Sequence, residues 1–406
     1  MMDFKYSFSF IVISLLISCN VSNKALDTKE EDSETMSIVE ENKNFPEFSW
    51  DKIPLYMHVR KKTAYTNDEI EYLSKFPLIT IEKSTGYETF GSNEAGTLET
   101  AKAIKSINPN TKILYYKNVV INWGNYEEDE LFLEEHPEAY LRNDDEEKSL
   151  MPNGVTPFFD ISQEIVQNYW LSHVKRITES TFIDGAFLDA NIKVLVPSFF
   201  GNKVGEDKQQ EIEAGYFTML QNLNTQIGEE NLLIANIIRV RPEFEDTGRE
   251  FLKYFNGSYI EGFDNESFGM TYADYLVAGI EAVQKSAREG NVIAMSLGIG
   301  EAIDGSTIGI DDVRESVELE GNLNDRIDYL LAIFLVCAEK YSYIYPHDGF
   351  NSLTSAVWLK TFSQYEKNLG EPTGYAIQDG YIYTRSFEYL DVWLDIENQQ
   401  AKLNWK

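Results

Sequence analysis

From Phe45 to the C-terminus the sequence switches between two hydrophobic periods: short continuous apolar runs, and longer stretches with an apolar residue at every third or fourth position. The short runs are IPLYMHV (53 to 59), PLITIEK (77 to 83), KILYYKNVV (112 to 120), IDGAFLDA (183 to 190), LLIANIIRV (232 to 240), GSYIEGF (257 to 263), NVIAMSLGI (291 to 299) and YSYIYP (341 to 346). Runs of this length with no alternation read as strands covered on both faces, which is how parallel sheets are buried. Between most of them lie amphipathic helical patterns, TLETAKAIKSI, QEIVQNYWLSHVKRITES, QQEIEAGYFTMLQNLNTQI and YADYLVAGIEAVQKSAREG. Eight strands joined mainly through helices predict an α/β fold, a (β/α)8 TIM barrel spanning 46–373, with a short β-rich segment at 374–406. A doubly wound open sheet is the competing arrangement, but no glycine-rich phosphate turn follows the first strand.

In such a barrel, chemistry is built at the C-terminal ends of the strands and in the loops behind them. The fourth strand, in FIDGAFLDAN, ends on Asp189, and period-2 alternation puts this carboxylate on the same side as Phe187 and Gly185, pointing inward. The sixth, in SYIEGFDNE, ends on Glu261, on the same side as Tyr259. Two carboxylates on strands separated by one neighbour can flank a scissile glycosidic bond, one protonating the leaving oxygen and the other attacking or activating water. Asp264 and Glu266 beside Glu261, and Glu301 after the seventh strand, compete for the second role.

The other strand ends supply candidate substrate ligands: Lys117 and Asn118 on the third strand, Asn191 after the fourth, Asn236 with Arg239 and Arg241 on the fifth, and Asp264 after the sixth. Amides and guanidinium forks hydrogen-bond sugar hydroxyls and anionic substituents, so the two arginines raise the expectation of an acidic glycan. Their alternative use is to neutralise Glu243 and Glu245. His58 on the first strand and His347 after the eighth are placed to line the base of the pocket. Trp123 and Tyr126 behind the third strand, and Phe199 and Phe200 behind the fourth, offer aromatic planes on which sugar C–H faces stack.

Upstream of the barrel, residues 1–18 read as a lipoprotein signal peptide: a lone Lys5, an apolar run from Phe8 to Ile17, then Leu16-Ile17-Ser18-Cys19. The run is too short to span a bilayer, and the last four residues resemble a bacterial lipobox with Cys19 as the lipidated residue. The stretch 19–45 that follows is polar and acidic, as a disordered tether is, and resembles the surface-export signal of Bacteroidota lipoproteins. The expected location is therefore the outer membrane, facing the cell surface or the periplasm, with membrane contact through the lipid alone. A formal net charge of −32 weighs against a nucleic-acid partner, whose phosphates need a basic face. Of only two cysteines, Cys337 lies in an apolar helical run, so neither a disulfide framework nor a cysteine metal site is available. DNESFG at 264 to 269 partly mimics a calcium loop, but Tyr275 stands where that loop needs its bidentate Glu. No metal and no cofactor is expected, and the motifs of zinc proteases, serine esterases and P-loop NTPases are missing.

The strings DGAFLDAN, YIEGF, LGEPTGYA and YTRSFEYLDVWLDIEN together resemble the TIM-barrel proteins grouped as hypothetical glycosyl hydrolase family 15 and, beyond them, the alpha-galactosidase-type barrels. The resemblance implies a retaining glycoside hydrolase in which Asp189 is the nucleophile and Glu261 the acid/base. The alternative from another class is a non-catalytic glycan-binding lipoprotein on the same scaffold, its acids kept for hydrogen bonding.

Overall fold

The computed structural model describes residues 42–263, 268–299 and 323–406. The eight expected strands are all present: β1 (Met57–Val59), β2 (Leu78–Ile81), β3 (Lys112–Asn118), β4 (Gly185–Asp189), β5 (Leu232–Asn236), β6 (Gly257–Ile260), β7 (Val292–Gly298) and β8 (Ser342–His347). They pair in parallel in sequence order. The first and last meet where Tyr56 N–H donates to Ile344 O (3.2 Å) and Ile344 N–H to Pro54 O (2.9 Å), drawing the sheet round into a nearly closed barrel. Closure removes the exposed edges that an open sheet would leave.

Helices follow the strands: Asn67–Leu73, Asn93–Ile107, Glu164–Thr178, Glu206–Ile227, Tyr272–Arg288 and Leu323–Cys337, while β5 is followed only by a 3-10 turn at Arg249–Tyr254. Their starts are written locally. Thr66 and Glu69 form a reciprocal capping box, and Ser92 caps the next helix through Ala95 N–H. Gly96 in that helix has a structural reason, because a Cβ there would stand 2.1 Å from Thr85 O. Only glycine lets the helix press against the turn behind β2, the turn that carries Glu82 and Lys83 to the mouth.

Inside the barrel the packing is aromatic. Phe187 contacts Tyr116 (5.6 Å, stacked), Tyr259 (5.1 Å) and His58 (5.0 Å). Each such ring, removed from water, contributes about 1.5–3 kcal/mol. This layer is the floor beneath the strand-end residues.

The C-terminal strands β9 (Ile377–Asp379), β10 (Ile382–Ser386), β11 (Leu390–Asp395) and β12 (Gln400–Trp405) form a separate antiparallel sheet in the order β12-β11-β10-β9. Leu390, Val392 and Leu394 alternate inward and pack with the helix Leu323–Cys337, whose Cys337 is buried in the same core. Arg385, 3% exposed, fastens the sheet to that helix end: it donates to Leu335 O (2.9 Å) and Ala338 O and pairs with Glu339 Oε1 (3.0 Å). Orphan carbonyls at a helix C-terminus are natural partners for a cation. Among the described residues, no helix is long and apolar enough to cross a membrane.

Candidate active site

Asp189 stands at the end of β4, half-buried, with three side chains on its carboxylate. Tyr116 Oη donates to Oδ2 at 2.5 Å, Asn118 Nδ2 to Oδ2 at 3.3 Å, and Asn236 Nδ2 to Oδ1 at 3.3 Å. Asn118 is itself fixed, its Oδ1 accepting the N–H groups of Val120 (3.1 Å) and Ile121 (2.7 Å). Burial disfavours the ionised carboxyl. The Lys83 ammonium, the Tyr116 hydroxyl and the Ala190 N–H outweigh it and hold Asp189 below the usual carboxylate range. Ala190 adopts φ 67°, a left-handed conformation that costs a side-chain-bearing residue energy and that clusters at functional sites.

Glu261, just past β6, has a side chain 38% exposed. Its Oε1 accepts Asn236 Nδ2 at 2.8 Å and faces Arg239 Nη2 at 3.3 Å. One amide nitrogen of Asn236 therefore touches both carboxylates. Acceptors sharing a donor at those distances lie no more than about 6 Å apart. Arg239 Nη2 also reaches Asn236 Oδ1 (3.4 Å), so the bridging amide is oriented from both ends.

Three residues at the mouth escaped the sequence reading: Tyr116, Glu82 and Lys83. Lys83 pairs with Glu82 and lies over the rings of Tyr116 (4.9 Å) and Trp123 (5.0 Å). Trp123 is half-buried there. Glu82 is 2% exposed, and Lys83, Arg60 and His58 hold its carboxyl low against the cost of burial. The signal for it was present: Glu82 closes the second apolar run as Asp189 closes the fourth. Tyr116 lies two residues before Asn118, hence on the same face. His58 sits 3% exposed among Phe187, Tyr259 and Phe350, and burial pulls its imidazole down to about 4. His347 stacks on Tyr345 and Phe350 in the same quarter.

Other expected ligands are taken out of the mouth. Lys117 faces the opposite side of β3, 1% exposed, with Nζ 2.5 Å from Asp129 Oδ1. Asn191 is fully buried, donating to Leu188 O (2.7 Å) and accepting from Tyr216 Oη (2.7 Å), so it ties β4 to the helix Glu206–Ile227. Arg241 is paired with Glu243 (3.4 Å) over the Phe268 ring, and Arg239 with Glu261 (3.3 Å), so each guanidinium group already faces a carboxylate of the protein. Tyr126 is buried and donates to Tyr116 O (3.0 Å). Phe200 is buried against Phe158, while Phe199 is half-buried beside it on the short helix Pro197–Val204. Cys19, Asp264, Glu266 and Glu301 lie outside the described residues.

Among known proteins, no curated protein matches the chain. Solved structures similar to it share little sequence. They include a noncanonic maltogenic alpha-amylase, AmyB, from Thermotoga neapolitana (12% identity, 86% of this chain and 85% of that one, TM-score 0.49). A variant of the GH36 alpha-galactosidase AgaA from Geobacillus stearothermophilus, in complex with raffinose, gives 10% identity over 85% of this chain, which spans 47% of that one, at TM-score 0.47. A debranching enzyme from Nostoc punctiforme gives 10% identity, 86% and 87% coverage and TM-score 0.45. The sequence itself matches the family described as Hypothetical glycosyl hydrolase family 15 over residues 105–391, a span that holds β4, β5 and β6 with Asp189, Asn236 and Glu261. Over the greater part of its length, therefore, this chain belongs to hypothetical glycosyl hydrolase family 15.

Proposed function

We propose that the protein is a retaining glycoside hydrolase in which Asp189 is the nucleophile and Glu261 the acid/base. The observation that carries this reading is the Asn236 bridge. Asp189 Oδ1 and Glu261 Oε1, within about 6 Å of each other, favour the short carboxyl separation of retaining enzymes, about 5–5.5 Å, over the 6.5–9.5 Å that leaves room for a water in inverting ones. In the first step an Asp189 oxygen attacks the anomeric carbon, the glycosidic C–O bond breaks, and Glu261 gives its proton to the departing oxygen. In the second, Glu261 takes a proton from water, the water oxygen attacks the same carbon, and the Asp189 ester is released. Both described contacts of Glu261 fall on Oε1, so Oε2 is the oxygen assigned to carry the proton. Lys83 and the Tyr116 hydroxyl favour an ionised Asp189, the form a nucleophile needs.

Release of reducing ends or of an aryl aglycone from a panel of glycosides tests the reading. Asp189→Asn is expected to lower turnover by at least about a thousandfold with little change in Tm. Glu261→Gln is expected to lose far more rate on natural glycans than on substrates with good leaving groups. Binding without any hydrolysis would make the protein a glycan-binding module instead. The lipid anchor proposed at Cys19 is checked separately: Cys19→Ala should move an otherwise folded protein from the detergent phase to the aqueous phase, and unchanged partitioning would remove the anchor.

A further inference from the structure

Among the described residues, the carboxylates sheltered in the scaffold have donors or cations on them. Asp129 takes Lys117 and Tyr169. Glu94 accepts the N–H groups of Glu128 (3.1 Å) and Glu127 (3.2 Å), and Asp184 pairs with Lys105 (2.7 Å) while accepting Ile113 N–H (2.8 Å). Glu82 Oε2 is, among the described residues, the one carboxylate oxygen wholly shut off from solvent that accepts no hydrogen bond. Arg60 Nε stands 3.4 Å from it, which compensates its charge without satisfying it, while Lys83 takes the other oxygen, Oε1. His58 Nδ1, also buried, has no partner either. Unpaired buried polar atoms cost free energy, and those retained at a site point to a group that arrives from outside.

The position of these atoms says what that group is. β1 pairs with β2 through His58↔Thr80, and Glu82 lies two residues beyond Thr80, so His58 and Glu82 both belong to the inward-facing set of the barrel. On the next strand β3, Tyr116 and Asn118 belong to that set too, and both donate to Asp189. Lys83 links the two carboxylates, paired with Glu82 and acting electrostatically on Asp189. A carboxylate oxygen accepts from a hydroxyl, and an imidazole that burial keeps neutral at pH 7 exchanges a hydrogen bond with a hydroxyl in either sense. A carboxylated sugar would place a further negative charge among Glu82, Asp189 and Glu261, where Arg60, Lys83 and Arg239 each already balance a carboxylate.

We propose, resting on the hydrolase reading, that Glu82 and His58 are hydroxyl ligands for the sugar held over Asp189, and that this sugar is uncharged. The specificity is that of a neutral glycoside, fixed by a carboxylate two strands away from the nucleophile.

The test begins with the unmodified protein and nitrophenyl glucosides, galactosides and their matching uronides in both anomeric forms. Cleavage of a neutral member with kcat/KM at least about a hundredfold above its uronide is expected, because the site's charge rejects the carboxylate. A preferred uronide overturns the proposal. Glu82→Gln should then lower kcat/KM on the neutral substrate roughly ten- to a hundredfold, the range of a hydrogen bond to a charged group. That loss should vanish on the one monodeoxy analogue lacking the bound hydroxyl. An equal loss on every deoxy analogue would mark Glu82 as structural and also overturn it. If the unmodified protein cleaves no glycoside, the hydrolase reading fails by itself. Calorimetric binding of neutral against carboxylated oligosaccharides, to the wild type and to Glu82→Gln, then decides the ligand class: no preference for the neutral form, or no effect of the substitution, sinks the inference.

Discussion

The two faces of β3 carry two polar clusters built from neighbouring residues and used in opposite ways. On the outer face, Lys117 pairs with Asp129, Tyr169 adds a second bond to the same oxygen (2.6 Å), and His173 is held between Tyr115 (2.7 Å) and Glu128 (3.1 Å). Glu94, Glu128 and His173 offer ligand atoms within 4.8 Å of one another, the arrangement of a metal site, yet protein partners already occupy each of them. On the inner face, Tyr116 and Asn118 aim at Asp189, and the neighbouring Glu82 and His58 keep atoms without partners. Both clusters are buried and rich in titratable groups. Between these two clusters the difference lies in the fully buried atoms left without partners on the inner face, not in residue type.

Breaking the outer cluster should cost stability and leave chemistry alone. Lys117→Met leaves the Asp129 charge buried without its cation, an expected loss of about 3–5 kcal/mol by denaturant unfolding, with kcat per folded molecule unchanged. A fall in kcat with stability intact would return Lys117 to the mouth and erase the contrast.

A smaller effect sharpens the inner cluster. Burial dominates and leaves the folded imidazole of His58 near 4, while Glu82 just past β2 and Asp189 on β4 favour its protonation and Lys83 and Arg60 oppose it. An unfolded His titrates near 6.5, so between those values only the unfolded chain takes the proton. The stability that His58 contributes is whole above about pH 6.5 and drains as pH falls toward 4, about 3 kcal/mol in all. His58→Phe, which suits the aromatic surroundings of Phe187, Tyr259 and Phe350, should flatten the loss between pH 7 and 4.5 relative to wild type. Parallel pH profiles for the two proteins would mean that the folded imidazole takes its proton as readily as the unfolded one.

Strand-end position told the direction of a side chain where alternation had a fixed phase. Asp189 follows Phe187 by two and Glu261 follows Tyr259 by two, and both point inward beneath the same amide. It misled at Lys117 and Asn191. Lys117 is out of phase with Asn118, and its partner Asp129 sits on a helix that no strand pattern announces. Asn191 begins a short helix after the left-handed Ala190, which turns its amide down into the scaffold. Glu82 ends its apolar run as Asp189 does, but a Glu-Lys pair in that place reads like any solvated strand end.

The sequence by itself determined the eight strands, the helices between them, the β-rich tail and the placing of acids at two alternate strand ends. Those features follow from periodicity and capping, which act among residues a few positions apart. Only the tertiary structure decided which polar groups are saturated. The contacts that settle it join residues 73 apart at Tyr116–Asp189, 47 at Asn236–Asp189 and 25 at Asn236–Glu261. Barrel closure brings such residues within hydrogen-bonding reach, and whether a buried oxygen finds a donor depends on that three-dimensional neighbourhood, which no local pattern encodes.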